Sequence, residues 1–402
     1  MTEHTHDSSK FAHQALPRDV WALGFVSMFM DASSELIHSL LPVFLATTLG
    51  ASMATIGVLE GAAEATAAIT KVFSGALSDH IRKRKFLVVL GYGLSALTKP
   101  AFPLARTMGW VFGARITDRV GKGIRGAPRD ALVADITPPA LRGRAYGLRQ
   151  ALDTVGAFTG PSLAIVFMLW FANDIRAVMW IAVVPALLAV ALLVVAVREP
   201  EPSRDAQKPR DGFSWTSAGK LGMRFWLIVG IAVISTLARF SEAFLILRAR
   251  SVGLAIGFVP AIMIVMNVVY AGFAYPAGLA ADRISARKLL IYGMGALVVA
   301  DGVLALARSP GVVFLGAAIW GLHMALTQGL LSKLVADVAP PGLRGTAFGV
   351  FNLATGVALL LASVIAGALW SRFGAPATFV SGAVFAALTM AGLLVYRPAI
   401  RT

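Results

Sequence analysis

Twelve apolar stretches of membrane-spanning length follow one another along this chain, at approximately 20–46, 53–78, 86–106, 109–135, 144–169, 175–197, 224–247, 254–281, 288–307, 311–336, 343–369 and 375–396. About 20 apolar residues in helical form cross the hydrocarbon core of a bilayer. Lipid cannot hydrogen-bond to an exposed backbone, so only helices and closed barrels survive there, and these runs are too long and too continuously apolar for barrel strands. With 57% apolar and 14% charged residues, the chain lies far from the soluble norm of roughly a quarter charged. The fold class expected is an all-α polytopic membrane protein with twelve transmembrane helices.

The chain also repeats itself. Gly75-Ala-Leu-Ser-Asp79 through Arg84 and Lys85 returns 203 residues later as Gly278-Leu-Ala-Ala-Asp282 through Arg287 and Lys288. Ala134-Asp135 through Arg142-Gly143 likewise returns as Ala336-Asp337 through Arg344-Gly345. A duplication within an apolar chain predicts two homologous six-helix bundles, the arrangement that rocking transporters use. The boundaries expected are a polar tail over 1–18, a bundle over 19–198, a linker over 199–222 and a second bundle over 223–402. The linker holds the longest polar interval, Arg198 to Gly212, rich in proline and charge.

A net charge of +15 invites a nucleic-acid reading, but its placement argues against one. Positive residues crowd the segments that share one side: Lys10, Arg18, Arg82 to Lys85, Arg142, Arg144, Arg198 to Arg224, Arg283 to Lys288, Arg344, Arg397 and Arg401. The opposite connections offer only Arg106, Arg176, Arg248, Arg250, Arg308 and Arg372. By the positive-inside rule both termini are cytoplasmic, and anionic lipid is the partner of this basic surface. The expected location is a multi-pass position in the cell membrane, a bacterial inner membrane. With no cysteine, thiolate metal sites and disulfides are excluded. His4, His6 and His13 lie in the polar tail, which reads as solvated chain without a cleavable signal.

Three motifs carry a family resemblance. Gly75, Asp79 and Arg84, repeated as Gly278, Asp282 and Arg287, resemble the loop signature between helices two and three of the major facilitator superfamily. Its glycine permits close approach of helices, and its acid and arginine suit a charge pair that forms and breaks as a gate. Arg115 with Gly121 and Gly123 is similar to that superfamily's helix-four motif, in which the arginine is linked to proton transfer; here Arg119 stands where that motif has its first glycine. Gly147, Gly156, Gly160 and Pro161 resemble the helix-five motif of its proton-coupled drug and metabolite antiporters, though the closing glycine pair is replaced by Ala164-Ile165. The resemblance implies alternating access, and the third motif implies export.

Ionisable residues at membrane depth are costly, roughly 2.5–3.5 kcal/mol each on insertion scales, so each asks for a partner or a wet cavity. The first run holds Asp31, Glu35 and His38 on one face; the second holds Glu60 and Glu64; the fourth holds Arg115, Asp118, Arg119, Lys122, Arg125 and Arg129. Arg149 and Asp153 follow in the fifth, Arg239 and Glu242 in the seventh, Asp301 in the ninth, His323 and Gln328 in the tenth. The resemblance implies that helices one, four, seven and ten line the central cavity. Asp31, Glu35, Arg119, Lys122, Arg239, Glu242, His323 and Gln328 are therefore the cavity candidates, with Asp31, Glu35 and Arg115 as the proton-coupling candidates. Glu60 and Glu64 are expected to pair with Lys71 or Lys99, and Asp153 to bond to helix one or four or to serve in function.

The leading functional expectation is a secondary antiporter that exports a small organic solute or drug-like compound against inward proton flow. Asp31, Glu35 and His38 could instead ligate a divalent metal, which makes export of a metal or its chelate the first alternative. The cations of the fourth run suit an organic anion, taken up with protons, as the second. No nucleophile–base constellation and no phosphate-binding loop is present, so neither an enzyme nor a nucleotide-driven pump is expected, and no cofactor. The partners expected are the substrate, protons and lipid, with no nucleic acid, and the chain is expected to act as a monomer.

Overall fold

A computed structural model describes residues 15–81, 83–199, 219–340 and 343–395. Residues 1–14 of the predicted tail, with His4, His6 and His13, most of the linker, and Arg82 lie outside the described residues, as do the side chains of Asp79 and Asp282. All regular structure among the described residues is helical. The first six spans are α1 (Arg18–Val43, extended by a π-helical turn Phe44–Thr48), α2 (Met53–Ile81), α3 (Arg84–Thr98), α4 (Met108–Ile136), α5 (Arg142–Trp170) and α6 (Ile175–Ile181 and Val183–Ala196). The second six are α7 (Gly222–Leu237 and Ala243–Ser251), α8 (Ala261–Arg283), α9 (Ala286–Leu306), α10 (Pro310–Thr327 and Leu330–Val338), α11 (Arg344–Phe373) and α12 (Ala375–Val395).

Local chemistry sets several helix starts. Thr107 Oγ1 accepts the backbone N–H of Trp110 to open α4, and Asp174 Oδ1 accepts those of Arg176 and Ala177 to open α6. Such side chains satisfy donors that the first helical turn leaves orphaned. Nine of the spans, counted over the described residues, are long and apolar enough to cross a membrane on their own account. The three that are not are α2 and α4, laden with charge, and α7, which is broken. Twelve apolar runs thus become nine self-sufficient spans and three that depend on their neighbours, and those three contribute Glu64, Arg119, Lys122, Arg239 and Glu242 to the central cavity.

The repeat pairs lie within their bundles. Arg84 Nη1 meets Asp135 Oδ2 at 2.8 Å, joining the start of α3 to the end of α4. Lys85 Nζ donates to the carbonyl of Val194, and Arg287 donates to those of Leu393 and Leu394, so each copy caps the last helix of its own bundle. The glycines diverge: a Cβ on Gly75 would touch Ala127 at 3.4 Å, while one on Gly278 would meet open space.

The cores reveal how the bundles sit together. One cluster contains Leu40, Phe44, Ile56, Val178, Phe244, Leu247, Ile262, Val313 and Ala366, so it runs through both halves on the side away from the termini, here the far face. On the opposite, basic face the apolar clusters are separate: Val20, Tyr92, Leu132 and Leu193 in one half, Phe225, Val335 and Phe351 with Leu290 and Leu393 in the other. Close backbone approach seals the far face. Cβ atoms on Gly57 and Gly367 would collide with the carbonyls of Ser363 and Met53, and Ala54 N donates to Ser371 Oγ at 3.0 Å. Two halves fused at one end and parted at the other enclose a cleft that opens toward the basic face.

Candidate functional site

At mid-depth the cleft widens into a cavity of about 440 Å³. The first half contributes Glu35, His38, Glu64, Ala68, Arg119, Lys122 and Ala157; the second contributes Ser235, Thr236, Arg239, Phe240, Ser241, Glu242, Met263, Asn267, Trp320, Leu331 and Thr355 among others. Each wall has a distinct construction.

The wall from α2 and α4 is a ladder of ion pairs. Arg115 Nη2 donates to Glu60 Oε2 at 2.9 Å, with both side chains sealed from solvent. One turn further along, Arg119 Nη2 lies 3.1 Å from Glu64 Oε1, where the ladder reaches the cavity. These partners correct the expectation that Glu60 and Glu64 pair with Lys71 or Lys99. Residues four apart on two packed helices meet rung by rung, which Lys71, at the basic end of α2, cannot do. Lys99 Nζ is instead taken by Asp118 Oδ1 at 2.9 Å and by Ser34 Oγ at 3.0 Å, tying α3 to α4 and α1. Gly121 and Gly123 explain the tight sandwich. A Cβ on the first would press on the Gly91 carbonyl and Ser95 in α3, and one on the second would press on Thr70 in α2.

The α1 wall is set by α5. Cβ atoms on Gly156 and Gly160 would lie 2.5 Å from the carbonyls of Met28 and Ala32, and each would also come within 3.0 Å of the Cβ of Asp31 or Glu35. Two of the three glycines therefore bring α5 onto the turns that carry the acids, while Gly147 faces open space and Pro161 is buried beside them. Glu35 lines the cavity and lies 3.4 Å from His38 Nδ1, whose Nε2 is 3.7 Å from Glu60. Asp31 is placed outside the lining, nearer the basic face, within the field of Asp153, Lys122, Arg125 and Arg129. Asp153 bonds to Arg149 of its own helix at 2.5 Å, against the expectation of a bond to α1 or α4. An arginine four residues away outcompetes a partner on another helix.

The opposite wall is the break in α7. After Leu237 the helix stops, and it restarts at Ala243. Arg239, Phe240, Ser241 and Glu242 occupy the gap and line the cavity. Ser241 Oγ accepts the Ala243 N–H at 3.2 Å as a cap, and the Ser241 N–H donates to Ser363 Oγ of α11 at 3.1 Å. Discontinuous helices at mid-membrane are tolerated where they border a cavity. Among the described residues, Arg239, Glu242 and Lys122 form no ion pair. Glu242 instead faces Glu35, His38 and Glu64 across the space.

Other candidates stand elsewhere. His323 is fully buried and its Nδ1 bonds to the Gly293 carbonyl at 2.8 Å, so it faces α9 and is outside the cavity lining. Gln328 is exposed at the break in α10, where Gly329 adopts a φ of 71°, and is outside the lining too. Arg115 lies behind the wall. The metal alternative fares poorly: among the described residues no group of three histidine or acidic side chains is gathered to hold an ion, and Asp31 is outside the cavity that Glu35 and His38 line. Sequence reasoning missed Phe240, Ser241, Asn267 and Trp320. Phe240 and Ser241 carried a signal, since Arg239 and Glu242 interrupt an apolar run and a serine stands in capping position before Ala243.

With this geometry in view, comparison with known proteins is direct. The Major Facilitator Superfamily profile matches residues 22–266 and 228–402. An uncharacterised MFS-type transporter of Methanocaldococcus jannaschii is 34% identical over 386 residues, covering 94% of each chain. Among solved structures, a single-residue mutant of the nucleoside transporter NupG superposes with a TM-score of 0.77 at 13% identity over 93% of this chain and 98% of its own. A bacterial homologue of the lysosomal transporter Spinster superposes at 0.74 with 16% identity, over 98% of this chain and 100% of its own. At such identities the structural likeness speaks for the fold alone, but profile, relative and fold agree: the chain belongs to the major facilitator superfamily, as a multi-pass membrane transporter and not an enzyme.

Proposed function

We propose that this protein exports a small organic solute from the cytoplasm in exchange for protons, by alternating access of the central cavity. The observation that carries this reading is the cavity itself. It lies between two bundles whose apolar clusters are separate on the basic face and shared on the far one, and it gathers Glu35, Glu64, Arg119 and Lys122 from one half against Arg239 and Glu242 from the other. The basic face is cytoplasmic by the positive-inside rule, so both termini are cytoplasmic and the state described is the loading state of an exporter. The Spinster homologue is described in an inward-facing conformation, and the likeness of fold supports the same reading here.

Export direction rests on the resemblance of Gly147, Gly156, Gly160 and Pro161 to the helix-five motif of the antiporters; two of those glycines also hold the acid-bearing turns of α1. Asp31 and Glu35 are the coupling candidates, because a carboxyl beside movable cations can exchange a proton as the cations shift. A lining with both charge signs suits solutes with polar or ionised groups better than wholly apolar ones. Uptake of an organic anion is the second reading, favoured by Lys122 and Arg239, which form no ion pair among the described residues.

The test uses liposomes carrying a trapped pH-sensitive dye. Addition of a transported solute to the outside, found by screening amino acids, peptides, organic anions and cationic drugs, should drive protons out of the lumen as the solute enters. Asp31→Asn or Glu35→Gln should uncouple that movement. Proton flux indifferent to every solute and to both substitutions would overturn the coupling.

A further inference from the structure

One acid lies outside everything described so far. Asp301, in the middle of α9, is fully buried, and neither of its carboxyl oxygens has a hydrogen-bond partner among the described residues. Gly382 of α12 makes room for it: a Cβ there would collide with Asp301 Oδ2 and come within 3.0 Å of Phe240 Cε1. The carboxyl, the α12 backbone and the Phe240 ring therefore meet at one point. Phe240 is the residue that matters, because it belongs to the α7 break and its other side lines the cavity. It is packed among Phe244, Trp320 and Phe379 at ring-centroid distances of 5.4–5.7 Å, so an aromatic wall separates Asp301 from the cavity.

The charged neighbours are few. On α10, His323 bonds to Gly293, two helical turns before Asp301. On α7, Arg239 and Glu242 flank Phe240 and point into the cavity, while Arg248 caps the carbonyls of Leu304, Ala305 and Ala307 at the far end of α9. The described part of α12 carries no charged residue. None of these groups forms an ion pair or hydrogen bond with Asp301. An ionised carboxylate cannot persist unpaired in such surroundings, whereas the neutral acid can.

We propose that Asp301 is a proton-binding site of the second bundle, separate from the cavity acids, which exchanges its proton with the cavity when the α7 break shifts Phe240 aside. This site is a matter of equilibrium proton binding and stands independently of whether Asp31 or Glu35 couples transport. Phe240 acts as the door: it stands between the two segments of α7, where short turns (Arg239 N–H to the Thr236 carbonyl, Phe244 N–H to the Ser241 carbonyl) and the Ser241–Ser363 contact replace a continuous helical ladder.

Infrared difference spectroscopy of the full-length protein in lipid, recorded as H2O is replaced by D2O, tests this directly. A protonated-carboxyl carbonyl band should be present and shift on deuteration, be missing in Asp301→Asn, and shift faster in Phe240→Ala. Labelling of the wild-type protein with dicyclohexylcarbodiimide, which reacts with protonated buried carboxyls, gives an independent readout by mass spectrometry. Asp301 should be modified, and more so in Phe240→Ala. Superimposable difference spectra for wild type and Asp301→Asn would overturn the proposal, as would Asp301 left unlabelled in both the wild-type protein and Phe240→Ala. If Asp31→Asn and Glu35→Gln leave transport unchanged while the Asp301 band persists, the cavity reading fails and this site stands.

Discussion

Glu60 and Arg115 form an ion pair at 2.9 Å with essentially no solvent contact, in a chain whose α2 and α4 are otherwise too charged to span a membrane alone. Burying two charges costs more than their attraction returns unless both stay paired, so loss of one partner is the damaging event. Glu60→Gln or Arg115→Gln alone should destabilise the protein in detergent by about 3–5 kcal/mol. The double substitution should recover a large part of that loss. Thermal unfolding of the two single variants and the double variant, read as a double-mutant cycle, checks this. Additive effects would mean that the ladder does not bind α2 to α4.

The α5 glycines make the second prediction, and they differ among themselves. Gly160→Ala places a methyl 2.5 Å from the Ala32 carbonyl and should cost about 1–3 kcal/mol by prising α5 from α1. Gly147→Ala meets nothing within 4 Å and should be neutral or gain up to about 1 kcal/mol from helix propensity. Transport should follow the same order, since only Gly156 and Gly160 position the turns bearing Asp31 and Glu35. Equal effects at Gly147 and Gly160 would sink the distinction.

That contrast shows what a single sequence can and cannot disclose. Apolar runs report burial in lipid, and the duplication reports bundle symmetry, so the fold was legible before any coordinates. Partner choice was not. Glu64 and Arg119 sit in different helices, and only the register between α2 and α4 brings them together in place of Glu64 with Lys71. His323 read as a cavity residue because α10 lines the cavity in this fold. Its position on that helix turns it to Gly293 instead, a rotation that no periodicity in a uniformly apolar run specifies. The break in α7 was only partly legible: Arg239 and Glu242 interrupt the run, but apolar residues continue on either side of it, so the run alone does not say that the helix stops and restarts.

Lys122 and Arg239 give the third prediction. Both line the cavity from opposite halves and neither has an ion-pair partner among the described residues, so neutralising either should leave the fold intact. Charge-assisted hydrogen bonds are worth about 1.5–3 kcal/mol, which converts to a loss of about tenfold to a hundredfold in affinity for an anionic solute. Lys122→Gln and Arg239→Gln should keep the melting temperature of the empty protein and lose the ligand-induced rise. A fall in the empty protein's melting temperature would reassign both residues to structure.

The sealed far face yields the last prediction, and the absence of native cysteine makes it a clean one. Ala54 N lies 3.0 Å from Ser371 Oγ across the junction of α2 and α11, so the two backbones stand within reach of a disulfide. In Ala54→Cys/Ser371→Cys protein, mild oxidation should join the halves at that end. Alternating access requires this junction to open when the basic face closes. Oxidised protein should therefore still bind solute from the basic side yet fail to transport it, and reductant should restore transport. The same oxidation applied to either single-cysteine variant should have no effect. Transport that persists in fully cross-linked protein would mean that the far face need not part, and that α2 and α11 move as one body through the cycle.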